Sequence, residues 1–307
     1  MNLKVARPNE ESPIFKTWEL GGFTLGYARS NFNGLKATHT RKDEEKVKLH
    51  FGTKGDYRFT HFQLKKEFDL IGGHHNLMFS KGFEIEVFPK TEIIETFGLS
   101  FDKEYFISLF QNPNLRLKSF LDAIKNEKPI MYAPDWGSIS SPIQRILNQV
   151  IHHGFKGHLE HVYLKAKSLE LLALCLDQYD QAFTGEKVIK TEADKSKIIK
   201  VRDLLLKDFQ ETPTLSELSK LTGLNEFKLK NGFKEVFGTT VFAYLFEHKL
   251  QLAFQLLSQS DKTAAEISSL TGFSSPQHFN QAFKKRFGNT PKSIRKDPSN
   301  VIMDDLK

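Results

Sequence analysis

The chain of 307 residues holds one cysteine, Cys175, and two tryptophans. A single thiol excludes an internal disulfide framework and a cysteine-based zinc site. No window offers eighteen consecutive apolar residues, so no transmembrane helix and no membrane partner are expected. The opening MNLKVARPNEES lacks the apolar run of a signal peptide, and the chain reads as cytoplasmic. Also missing are HExxH, a Walker loop, GxSxG and GxGxxG, the short motifs of metal, nucleotide and acyl-transfer chemistry. The expectation is therefore no enzyme and no cofactor. Acidic charge is short in one region alone. From Lys195 to Lys307 there are 18 basic and 12 acidic residues, a surplus of six, while the first 194 residues are within one charge of balance. A basic C-terminal third beside a nearly neutral remainder points to a polyanionic partner.

What is present divides by periodicity. From about 14 to 101, VKLHF, YRFTHFQL, NLMFSKGFEIEVF and EIIETFGLSF alternate or cluster apolar residues between turn signals such as GTKGD and IGGHHN. Short strands at this spacing predict a barrel or sandwich. After Phe101 the spacing becomes helical, through KEYFISLFQ, LRLKSFLDAIKN, SPIQRILNQVI and EHVYLKAKSLELLALCLDQYDQAF. The last carries Leu169, Leu172, Leu176 and Tyr179 on one stripe, with Leu164, Leu171 and Cys175 beside it. So broad a stripe needs a partner surface, either its own domain or a second copy in a homodimer through helices within 140–184. The expected organisation is a domain over 1–184 (β-rich 14–101, helical 102–184), a polar linker over 185–195, and an all-α domain over 196–298. The fold class is α+β.

The C-terminal domain repeats itself. LTGLNEFKLKNGFKEVFGTT (221–240) and LTGFSSPQHFNQAFKKRFGNTP (270–291) share one frame with different filling. Thr214 with Glu217, and Thr263 with Glu266, form capping boxes 49 residues apart. Gly223 and Gly272 keep that offset, while Phe233 and Phe283, Phe237 and Phe287, and Gly238 and Gly288 differ by 50, so the second turn holds one extra residue. Asn225 caps the second helix of the first copy; Ser275, followed by Pro276 at the first helical position, caps that of the second. The repeat is a helix-turn-helix written twice, over about 214–238 and 263–288, the arrangement that lays its second helix in a major groove of double-stranded DNA.

Each second helix has two faces. Leu229, Phe233, Val236 and Phe237 pack inward in the first copy, and Phe279, Ala282, Phe283 and Phe287 in the second. Outside lie Phe227, Lys230, Asn231 and Lys234, then Gln277, His278, Gln281, Lys284 and Lys285. Lysine donates to guanine acceptors, asparagine and glutamine match the adenine edge, and Phe227 offers apolar contact to a thymine methyl. Lys234, Lys284, Lys285 and Arg286 suit phosphates, which fix register. The connection VFAYLFEHKLQLAFQLLSQ (241–259) is a helix of roughly 28 Å, near the roughly 34 Å between successive major-groove openings on one DNA face.

The C-terminal hundred residues resemble the AraC/XylS family of bacterial transcription regulators, above all in AAEISSLTGFSSPQHFNQAFKKRFGNTPKSIR. By position, the resemblance implies base contacts from Phe227, Lys230 and Asn231 in the first reader, and from Gln277, His278 and Gln281 in the second. Pro276 departs from the polar residue that members often carry there, which removes one contact. Gly232 sits mid-helix at a cost of about 1 kcal/mol against helix preference, which suggests close backbone packing. The family further implies an effector-binding or dimerisation domain, often a small cupin-like β-barrel followed by helices, and an activator that meets RNA polymerase. GGHHN, GFEIEVF and PIQRIL resemble the pyochelin-regulator-like branch, which implies a siderophore-like small-molecule effector.

Three other readings have sequence features to answer to. A cupin-like metal enzyme needs ligands: His74 and His75 are adjacent, so on a strand they point to opposite faces, and His152, His153, His158 and His161 lack a completing carboxylate or cysteine. A DNA-repair fusion needs a reactive cysteine, and Cys175 lies in an apolar helix. A ligand-independent regulator would use the N-terminal domain for dimerisation alone.

Overall fold

The computed structural model describes residues 14–296 apart from 33, 152 and 185–187, so His152 lies outside the described residues. The chain forms two compact units, one of Met1–Ile139 with Gly157–Thr184, the other of Ser140–Lys156 with Gly185–Lys307. The first unit opens with seven strands, β1 (Ile14–Glu19), β2 (Phe23–Asn31), β3 (Thr38–Lys54), β4 (Tyr57–His61), β5 (Lys66–Leu70), β6 (His74–Pro89) and β7 (Ile93–Asp102). They form an antiparallel sheet in the order β1-β2-β7-β3-β6-β4-β5. Helices α1 (Lys103–Ser108) and α2 (Leu115–Lys125) follow, then the short strands β8 (Ile130–Met131) and β9 (Gly137–Ser138), both paired with β6. After α3 (Ser141–Ile151), which belongs to the second unit, α4 (His158–Thr184) completes the first.

The two-residue period of the strands builds two different interiors. In register, Leu49 of β3 stands opposite Leu77 of β6 and Leu99 of β7, which in turn faces Leu25 of β2. Val47, Phe79, Phe101 and Phe23 make the next such row, and all eight side chains are buried. Phe106 of α1 stacks edge-on against Phe101 and Phe120 of α2, so this face of the sheet carries the helices. The alternate residues, among them Lys48, His50, Thr24, Gly98 and Ser100, line a cavity of about 440 Å³. Phe15 of β1 and Phe59 of β4 line the same cavity although they come from opposite ends of the sheet, so the sheet curls around it.

Adjacent histidines land on opposite sides, as the strand geometry requires. His74 bonds the Tyr57 hydroxyl at 3.1 Å, and Tyr57 also bonds His50 at 2.9 Å. His75 instead meets the Tyr179 hydroxyl of α4 at 2.6 Å. Among the described residues no group of three or more histidine, cysteine or acidic side chains could hold a metal ion. On α4, Leu164, Leu171, Leu172, Cys175 and Tyr179 are buried, whereas Leu169 and Leu176 of the expected stripe are half-buried.

The second unit contains α3 and seven further helices, α5 (Glu192–Lys207), α6 (Leu215–Thr222), α7 (Glu226–Phe237), α8 (Val241–Gln259), α9 (Ala264–Leu270), α10 (Pro276–Phe287) and α11 (Pro291–Lys296). The stretch 140–156, grouped by its sequence with the N-terminal domain, clusters here. The polar stretch 185–195 is not linker throughout. α5 begins at Glu192 because the Thr191 hydroxyl accepts from the Asp194 amide, and Glu192 and Asp194 place negative charge at its first turn.

Burial pushes the imidazoles of His50 and His75 down to about 3, with the neighbouring His74 adding to the effect, and burial with nearby Lys48 lowers His61 to about 4. Between pH 6.5, the ordinary histidine value, and about 3, the unfolded chain takes up protons that the folded unit refuses. Stability from these groups is therefore fully present above pH 6.5 and lost as pH falls. The thermal midpoint of the sheet unit should drop between pH 7 and pH 4, and less steeply in His75→Gln. Calorimetry across that range checks it; a flat midpoint contradicts it.

Candidate nucleic-acid interface

The two helix pairs are set by local chemistry first. The Thr214 and Thr263 hydroxyls each accept from the amide three residues on, and Glu217 and Glu266 return a bond to the cap amide, completing both boxes. Gly223 takes φ +64° and Gly272 φ +65° at the turns, and a Cβ on Gly272 would collide with the Phe209 carbonyl. Asn225 and Ser275 cap α7 and α10, and Gly238 and Gly288 end them in the left-handed region.

Phenylalanines then pin the second helix of each pair. The rings of Phe233 and Phe237 in α7 lie 4.5 Å apart between centroids, and those of Phe283 and Phe287 in α10 4.6 Å apart, both pairs tilted. Phe279, Phe283 and Phe287 join Leu250, Ala253 and Leu257 of α8 and Ile267 of α9 in one core. With the inner faces buried, the opposite faces are open: Phe227 (71% exposed), Lys230, Asn231 and Lys234 on α7, and Gln277, His278, Gln281, Lys284 and Lys285 on α10.

The individual side chains are not equally poised. The Asn231 amide donates to the Phe227 carbonyl one turn back at 3.0 Å, leaving its oxygen outward, and Lys230 sits 3.4 Å from Glu226. The His278 ring rests near Phe246 of α8 and Phe273, with Ser274 at 3.4 Å from Nδ1. Lys234, Lys284 and Lys285 have no carboxylate partner among the described residues. Arg286 differs. It is half-buried, and its guanidinium forks onto Glu247 of α8 at 2.5–2.8 Å, so it braces α10 rather than facing outward with the lysines. Lys249, also on α8, donates to the Gly272 carbonyl at 3.0 Å and holds the second turn.

The sequence reading passed over Asn280. It is exposed and occupies in α10 the place of Lys230 in α7, and the fifty-residue offset between the copies was the signal for it. Gly232 has its reason too. Its backbone is ordinarily helical, but an added Cβ would come within 3.0 Å of two carbons of Ile189 and 3.2 Å of Ile198 Cδ1. Beside it, Glu235 accepts from the amides of Val188 and Ile189 at 2.8 and 3.3 Å, and Lys228 pairs with Asp194 at 2.7 Å.

Comparison with known proteins matches residues 218–297 to a helix-turn-helix domain family and residues 26–187 to the regulatory protein PchR N-terminal domain family. The chain is similar to the regulatory protein PchR of Pseudomonas aeruginosa, 35% identical over 126 residues, which is 39% of this chain and 40% of that protein. It is similar also to the HTH-type transcriptional regulator GlxA of Rhizobium meliloti, 40% identical over 79 residues, 26% of this chain and 24% of the relative. These matches span less than half the length of either curated relative. Among solved structures, an AraC-type DNA-binding-domain regulator from Chromobacterium violaceum is 27% identical with a TM-score of 0.32, covering 35% of this chain and 99% of that one.

Exposed amide and ammonium groups on one helix should behave differently on DNA. Gln281→Ala is expected to change base preference, costing about 1–3 kcal/mol at one base pair. Lys284→Ala should weaken all sequences alike and reduce the slope of affinity against salt by about one. Titrations of both variants at several salt concentrations separate the two, and normal binding by both would remove α10 from the interface.

Proposed function

The chain belongs to the AraC/XylS family of DNA-binding transcription regulators, in the branch with the PchR N-terminal domain, and from that premise we propose that it is an effector-responsive activator. The reading rests on one observation: two capped helix-turn-helix pairs share a frame, differ on their outer faces, and are joined by the single 19-residue helix α8. A helix of roughly 28 Å suits two readers on successive major-groove segments of one duplex. Phe227, Lys230, Asn231, Gln277, His278 and Gln281 meet bases, and Lys234, Lys284 and Lys285 meet phosphates. The protein acts in the cytoplasm, where its DNA-bound form engages RNA polymerase. Genomic DNA bound by the chain should contain paired sequence blocks about 10 bp apart, centre to centre. Bound fragments without such pairing contradict the reading, and the genes beside them indicate the effector.

The N-terminal unit supports sensing rather than dimerisation alone. Its cavity has aromatic walls, including Tyr27, Phe59 and Phe83, and is lined by three lysines, Lys16, Lys42 and Lys48, of which Lys48 is the least exposed. Lys48 holds its ammonium 3.5 Å over the Phe83 ring and pairs with Glu44, and burial lowers its pKa. Aromatic surface beside lysines fits a small, siderophore-like molecule with an acidic group.

Dimerisation has a surface of its own. Leu159, Val162, Ala166, Leu169, Ala173 and Leu176 of α4 recur at spacings of three and four, on a face turned away from the buried stripe. Leu159 and Val162 are 53% and 65% exposed. Such an a/d seam suits pairing with its own copy. Val162→Glu should convert a dimer into a folded monomer in sedimentation, with the wild-type circular dichroism. An unchanged mass rules out this seam.

A further inference from the structure

We propose that Gly232 and Glu235 form an intramolecular dock for Val188 and Ile189, and that this dock sets the orientation of α7 on DNA. The four are positioning residues and touch no base. The inference rests on α7 being the first reading helix.

Three observations meet on one flank of that helix. Lys228, Gly232 and Glu235 fall at i, i+4 and i+7, between the inner phenylalanine face and the reading face that carries Asn231. Ile189 lies over Gly232, close enough that a methyl group there would displace it. Both backbone amides of Val188 and Ile189 end on one oxygen of Glu235, and Lys228 reaches Asp194 at the start of α5. Glycine weakens a helix, and α7 needs no unusual backbone angle at this point. The close approach of Ile189 is therefore what the glycine serves.

The second copy supplies the contrast. At the corresponding places α10 has His278, Ala282 and Lys285. Ala282 packs into the core of its own helix pair, and His278 and Lys285 are exposed. α10 is braced instead from α8, through Glu247 on Arg286 and Lys249 on the Gly272 carbonyl. The two readers thus have different supports. Both pack against aromatic residues on the connecting helix, α7 against Tyr244. The polar brace of α10 comes from that helix, but the polar brace of α7 comes from Val188 and Ile189, four and five residues after α4 ends at Thr184. A displacement of that segment would turn α7 and leave α10 in place.

The test uses the full chain and DNA duplexes that it enriches from a random library, with sequence preference read separately for the two blocks. Gly232→Ala should expel Ile189, and the block read by α7 should lose at least tenfold discrimination while the α10 block keeps its preference. Gly232→Ala with Ile189→Ala restores the space and should restore the first block. Amide exchange at 188 and 189 should rise in the single variant and not at α10. Retained preference in both blocks after Gly232→Ala, equal loss in both, or no recovery in the double variant overturns the dock. If the unaltered chain enriches no sequence, the DNA-reading assignment falls, and the proposal with it.

Discussion

A helix that reads DNA must leave one face bare, so its fixation has to come from the remaining surface. In this chain that surface is organised by a pair of phenylalanines one turn apart, Phe233 with Phe237 and Phe283 with Phe287, their tilted rings 4.5 and 4.6 Å apart. Aromatic pairs bury much area per residue and have few rotamers, so one pair, with Leu229 in α7 or Phe279 in α10 one turn before it, anchors a twelve-residue helix. The threonine caps, the left-handed glycines and the basic outer faces all depend on that anchoring. Without it the polar face has no fixed direction to present.

The same constraint decides where charge is placed. A cation on the bare face serves DNA only if no carboxylate within the protein holds it. Lys234, Lys284 and Lys285 meet this condition among the described residues. Arg286 does not, because a bidentate guanidinium is well matched to a carboxylate, and Glu247 lies one helix away. Arginine in that position exchanges a phosphate contact for a fixed angle between α8 and α10. In the first helix pair α8 instead meets α7 through Tyr244, which packs against Phe233 and Phe237.

Much of this was legible in the sequence because it is local. Periods of two and of three to four, the T-x-x-E boxes and the paired glycines specify the element order, the α+β class and the outward residues of α7 and α10. What was not legible depends on residues distant in sequence. Nothing in NGFKEVF says that Gly232 faces Ile189, forty-three positions earlier, and nothing in KKRF separates Arg286 from the two lysines before it. The stretch 140–156 shows the same limit: it lies within the residues matched to the PchR N-terminal domain family yet clusters by contact with the second unit, and the periodicity of 141–151 does not name a partner. Asn280 is the opposite case, since the repeat offset contained it.

In the N-terminal unit the strand period carries two functions at once. Odd positions of β3 lie on the sheet face that carries α1 and α2 and their even neighbours on the cavity face, so Leu49 and His50 sit on opposite faces of one strand although both border the cavity. The pair His74 and His75 repeats this on β6, one imidazole bonded to Tyr57 beside His50 and the other to Tyr179 on α4. A ligand that shifted β6 from the cavity side would therefore move the anchor of α4 on the far side, with no relay of side chains between them. Rigid pleating makes the strand itself the connection. The helix so moved carries the heptad seam, and the chain leaving it reaches Ile189 five residues later. The cavity strand β6, bonded to α4 through His75 and Tyr179, is thus linked to the face proposed for pairing, and from there four residues of chain lead to Val188.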